Sequence, residues 1–259
     1  MKKKLLFVML ATLVMLTGCE KKFVFSVSDT QTVVFAQGNV VCDEAGILSF
    51  AENQYTLGNF FGWGTGSNPM CDDTLVASFA EFDDWGAHLD GKWRTLTDKE
   101  WRHLLMGREG AMGKAGLATV CDVPGMVLLP DNWQTDSGSV DFVCGFRSWT
   151  GNVYDAEAWT SMEQCGAVFL PAISSPDSVP DSVAVTEGLY WSSTFRSDVD
   201  AEALRFTESF MGVGRELRSS RLQVRLVKDA SKKHSDKKPL KNANGQMVEE
   251  FEEGAVIEM

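Results

Sequence analysis

Histidine, paired cysteines and basic charge are in short supply, and each shortage removes a class of function. The 259-residue chain holds three histidines, at 88, 103 and 234, with no His-Glu-x-x-His pair. A zinc site built from two histidines on one helix face therefore has no ligands. No Gly-x-Ser-x-Gly elbow is present for a serine nucleophile. No two cysteines stand at the Cys-x-x-Cys spacing of a zinc ribbon or a thioredoxin-like redox pair. Lysine and arginine total 24 against 36 acidic residues, a formal charge of −12. Nucleic acid and anionic lipid surfaces both attract a basic face, so neither is an expected partner. Long apolar runs are missing too: Leu5–Leu16 falls short of the about 20 residues that span a bilayer.

That short run is informative for what flanks it. Lys2, Lys3 and Lys4 precede it and small residues follow, the layout of a bacterial secretion signal. Leu16-Thr17-Gly18-Cys19 resembles a lipobox, in which the cysteine is lipidated and becomes the new N-terminus. The expectation is a signal peptide over 1–18, lipidation at Cys19 and a short tether over 19–22. Loss of 1–18 removes three lysines, leaving 21 basic against 36 acidic residues, a formal charge of −15. Cys42, Cys71, Cys121, Cys144 and Cys165 remain; five is odd, so at least one thiol stays unpaired. They read mostly as buried small hydrophobes, with one disulfide an open alternative. The apolar fraction of 44%, with 8 Trp and 16 Phe, suffices for one sizeable core.

After the tether the chain reads as strands: 23–28, 32–36, 47–50 and 54–57 carry alternating or β-rich patterns. Residues 58–90 are rich in Gly, Asp, Asn and aromatics and read as a long ordered loop. Thr97-Asp-Lys-Glu100 has the form of a capping box, with Leu96 and Trp101 placed as a hydrophobic staple. A hairpin is expected with its turn at Asp122-Val-Pro-Gly125. A second helix is expected over 156–164, between an Asp155 N-cap and Gly166. Further strands are expected at 167–170, 189–192, 203–206 and 222–227. The lysine-rich and then acidic stretch 229–259 lacks apolar periodicity and reads as a disordered tail.

Four of these stretches together resemble a family. Trp93-Arg-Thr-Leu-Thr-Asp-Lys-Glu-Trp101, Leu170-Pro171-Ala172, Tyr190-Trp191-Ser192-Ser193-Thr194 and Gln223-Val224-Arg225-Leu226-Val227 are similar, in order and spacing, to motifs of bacterial C-type-lectin-like domains. They also resemble the Fibrobacter succinogenes major paralogous domain. Segments 35–39, 50–54 and 61–64 resemble an N-terminal extension found in its lipoprotein paralogues. The first motif lacks its proline, at Thr95 or Leu96, and Ile173 stands where the second has glycine. The resemblance covers 23–228 and implies an α+β C-type-lectin-like fold, with mixed, mostly antiparallel sheets and two main helices.

The resemblance also bears on sites. The Glu-Pro-Asn, Gln-Pro-Asp and Trp-Asn-Asp triplets of calcium-dependent lectins are absent, so no metal and no cofactor are expected. Asp72, Asp73, Glu81, Asp83 and Asp84 read as a solvated acidic loop. Related formylglycine-generating enzymes use two late cysteines, whereas the last one here is Cys165; catalysis is not expected. Trp93, Trp101, Trp159 and Trp191 fall in expected elements and read as core. Trp133 and Trp149, in a loop with Asp131, Asn132 and Asp141, are the candidates to line a ligand surface. Asp-Thr74-Leu, Asp-Ser178-Val and Asp-Ser182-Val resemble an O-glycosylation sequon of some Gram-negative bacteria, marking Thr74, Ser178 and Ser182. The expected protein is a lipoprotein of an outer membrane, its face undecided, that binds a protein or glycan without catalysis. The alternative is a structural or accessory subunit of a surface assembly such as a fimbria; an envelope enzyme ranks below both.

Overall fold

Alternation and capping place most elements where elementary rules put them. The computed structural model describes residues 23–66, 81–133, 141–175 and 185–232. These form an α+β structure whose sheets are mostly antiparallel, with two α-helices among the described residues. Near the N-terminus lie β1 (Phe25–Ser26), β2 (Gln31–Phe35), β3 (Val40–Cys42) and β4 (Leu48–Phe50). Then come β5 (Arg94–Thr95) and α1 (Asp98–Arg102), which runs on as a π-helical turn over His103–Gly107. β6 (Ala115–Val120) and β7 (Val123–Leu128) form a hairpin, followed by β8 (Val153–Tyr154) and α2 (Ala156–Gln164). The chain finishes with β9 (Val168–Pro171), β10 (Ile173–Ser175), β11 (Val185–Phe195), β12 (Asp200–Phe206), β13 (Met211–Leu217) and β14 (Leu226–Lys232).

Three four-stranded sheets result, ordered β1-β2-β14-β5, β10-β11-β12-β13 and β8-β6-β7-β9, with β3-β4 as a separate pair. β14 lies between β2 and β5, pairing Val227 with both Phe35 and Arg94, so both ends of the described chain share one sheet. The largest apolar cluster joins Phe25, Phe35, Trp101, Leu104, Tyr190 and Phe206; a second gathers round Trp63, Trp85 and Trp191, and a third lies under α2 around Trp159 and Phe169.

Both helix starts follow from local chemistry. The Thr97 hydroxyl accepts from the Glu100 N–H, and the Glu100 carboxylate accepts from the Thr97 N–H, which satisfies two otherwise free donors. Asp155 caps α2 through the Ala158 N–H, and Gly166 ends it at φ +89.

The four family-like stretches touch one another. The Pro171 carbonyl accepts from the Tyr190 hydroxyl at 2.8 Å and from the Gln223 amide at 3.0 Å. The Leu96 carbonyl accepts from the Ser193 N–H at 2.9 Å, and the Thr194 hydroxyl bonds the Asp98 carboxylate at 2.9 Å. Asn39, fully buried, donates to both Gln223 and Tyr190.

Several expectations need correction. Residues 54–57 form a turn, not a strand. The Gln54 amide instead serves the edge of β9: its oxygen accepts from the Phe169 N–H, and its nitrogen donates to Ala167 and to Glu163. The β6–β7 turn is Cys121-Asp122, at φ 47 and 65, not Asp122–Gly125. Gly125 sits inside β7, where a Cβ would come within 2.4 Å of the Phe169 ring. Leu222 and Gln223 make isolated bridges ahead of β14 rather than one strand with it. β14 itself continues to Lys232, past the tail boundary expected at 228, because Lys228 and Asp229 pair with Val34 and Val33 of β2. β13 was not anticipated at all.

Candidate functional site

Trp149 is placed by contacts to its backbone on both sides. Its N–H donates to the Glu208 carboxylate at 2.9 Å, and its carbonyl accepts from the Thr119 hydroxyl at 2.9 Å. The loop carrying it is anchored by Asn152, whose amide donates to the Leu117 and Val143 carbonyls and accepts from the Val143 N–H. The ring packs against the main core, 6.3 Å from that of Phe206, and remains partly exposed.

Glu208 belongs to the turn between β12 and β13. The Thr207 hydroxyl shapes that turn by accepting from the Ser209 and Phe210 N–H groups, while the Thr207 N–H donates to the Phe210 carbonyl at 2.7 Å. The turn leaves Phe210 49% exposed. Between turn and loop lies an open groove of about 540 Å³, with Trp149, Phe210, Arg205, Thr207, Glu208 and Ser209 on its walls. Arg205 is held there by two bonds of 2.8 Å to Glu187 of β11.

This lining suits a ligand that carries polar groups and no negative charge. Two aromatic side chains offer apolar faces, hydroxyls and a carboxylate offer hydrogen bonds, and the cation is already paired. Among the described lining residues there is no imidazole and no thiol.

Searches of protein-family models, curated proteins and solved structures returned no match to this chain.

The other anticipated residues lie elsewhere or outside the described part. Trp133 packs on the cluster beneath α2 with Trp159 and Phe169, whereas Trp149 packs on the main core, and Trp133 is not among the described residues that line the groove. Asp131 is bound by Arg108 at 3.2 Å and by the Ser26 hydroxyl. Asp141 is exposed and takes the Tyr154 hydroxyl on its carbonyl; burial and that carboxylate push the Tyr154 phenol up to about 12. Asp84 caps the 3₁₀ turn Trp85–His88 and accepts from Thr95, and Asp83 pairs with His88 at 2.7 Å. Among the described residues no group of three His, Cys, Asp or Glu is arranged to hold a metal ion. Cys42, Cys121, Cys144 and Cys165 are free thiols. Cys19, Thr74, Ser178 and Ser182 lie outside the described residues, as do Asp72 and Asp73.

Phe210, Glu208, Arg205 and Thr207 escaped the sequence reading. The available signal was Thr207-Glu-Ser-Phe210, a turn-forming hydroxyl followed by an aromatic between two strands. It was hidden because β13 was not recognised.

Proposed function

We propose that the chain is a lipid-anchored cell-envelope protein with a C-type-lectin-like domain, and that its role is non-catalytic binding of a protein or glycan. The observation that carries this reading is the Trp149–Phe210 groove, in which aromatic side chains stand beside hydroxyls and a carboxylate on two braced turns. A sugar ring stacks on such faces and hydrogen-bonds such rims. The fold assignment is supported by the four family-like stretches, which meet at the Pro171 carbonyl and at the start of α1. Anchoring at Cys19 and an outer-membrane location rest on the lipobox-like stretch.

A second reading, a subunit of a surface assembly such as a fimbria, draws on the opposite end of the same sheet. There Phe195, Val199 and Leu217 are 50%, 63% and 55% exposed, and the Arg218 N–H bonds the Val199 carbonyl. A glycan array separates the two. Under the first reading the purified protein binds a defined glycan, and Trp149→Ala or Phe210→Ala weakens that binding by about tenfold, equivalent to roughly 1.4 kcal/mol. An unresponsive array, with copurification alongside polymerised surface fibres, replaces it with the second.

A further inference from the structure

A second concavity, of about 630 Å³, opens beside the first described residue. Phe23, Phe25, Val34, Phe35, Ala36 and Val168 make its apolar walls, and Gln37, Gln164 and Lys228 stand on its rim. The polar groups inside are already engaged. The Gln54 amide bonds Glu163, Ala167 and Phe169, and the Lys228 ammonium lies 4.9 Å from the centre of the Trp93 ring. Phe23 lies against the end of α2, where Gly166 leaves room for it: a Cβ there would be 2.2 Å from the ring. A hydrogen-bonding ligand would find little to bind. A hydrocarbon chain would find the Phe, Val and Ala side chains, with the Gln54 amide and the Glu163 carboxylate beside them bonded to each other.

The sequence supplies such a chain close by. Cys19 precedes Phe23 by four residues, a separation of at most about 14 Å when fully extended. Chain length alone therefore lets a lipid carried on Cys19 reach the groove that Phe23 lines. Each methylene moved from water onto an apolar wall is a gain. We propose that this groove shelters an acyl chain carried on the protein's own Cys19. The proposal rests on the lipoprotein reading. Each chain sheltered in the groove is one fewer in the membrane, so the groove would weaken the anchor.

The test uses the full-length protein in cells fed a photoreactive diazirine fatty acid. Intact mass first reads whether Cys19 carries acyl chains; without that added mass, the lipoprotein reading falls and this proposal with it. After irradiation of the acylated protein, the expected result is cross-links from the Cys19 lipopeptide to residues 34–36 and 163–168. Val34→Glu, at a partly exposed wall position, should reduce those cross-links several-fold while acylation and thermal unfolding stay unchanged. Gln164→Trp on the rim provides the same comparison if Val34→Glu fails to fold. Cross-links confined to lipid and residues 20–22 overturn the proposal. So does a Cys19→Ala protein that cross-links free photoreactive fatty acid at the same residues as strongly, since the groove would then be a site for free lipid.

Discussion

Trp63 and Trp191 brace each other's backbone. The Trp63 indole N–H donates to the Ser192 carbonyl at 2.8 Å, and the Trp191 indole N–H donates to the Phe61 carbonyl at 2.6 Å. Both rings are fully buried, and the Arg218 guanidinium lies 4.7 Å from the centre of the Trp63 ring. A glycine-rich segment with almost no regular structure is thereby fixed onto β11.

Trp63→Phe and Trp191→Phe should therefore each cost about 1–3 kcal/mol, the penalty for leaving a buried acceptor short of a donor. Their combined cost should fall below the sum by at least about 0.5 kcal/mol, because both act on the same docked segment. Urea unfolding of the two single variants and the double variant measures this coupling. Strict additivity would show that the bonds act independently.

The α1 start separates a local contribution from a tertiary one. Thr97→Ala should cost about 1 kcal/mol by removing the cap. Trp101→Ala should cost about 3–5 kcal/mol, because the ring is fully buried against Phe35. Denaturant midpoints should rank the two variants in that order.

Acid should weaken the Asp131 bridge. Burial disfavours the charge on Asp131, but the Ser26 bond and the Arg108 guanidinium outweigh that and hold the carboxyl below its ordinary value. Arg108 is itself pushed down by burial, against the pull of Asp131, yet its guanidinium stays protonated at working pH. The folded state thus binds fewer protons than the unfolded one around the ordinary carboxyl value of about 3.9. The stabilisation is complete above that value and is lost as pH falls through the lower folded one. Asp131→Asn should flatten this acid limb in urea titrations run at successive pH values. It should also cost about 3–5 kcal/mol at neutral pH by leaving a buried guanidinium without its carboxylate.

Cys19→Ala should abolish incorporation of labelled fatty acid and release the protein from the membrane fraction. Equal labelling of the parent and the variant would remove the lipid anchor from the account.

What the sequence determined by itself is local. Thr97 to Glu100 and Asp155 to Gly166 announce two helices because caps act across one turn of chain. β-rich runs likewise located part of β2, β11 and β12, since residue type alone favours a strand over a few residues. Tertiary structure decided the rest. Pro124-Gly125 reads as a turn until the Phe169 ring from β9 explains the glycine. Gln54 reads as part of a strand until its amide is found completing the β9 edge, more than a hundred residues away. The groove depends on such a long-range contact: Trp149 meets Glu208 across 59 residues of sequence, and no periodicity spans that distance. Local rules act through neighbours along the chain, whereas a binding surface is assembled from loops that only the packed core brings together.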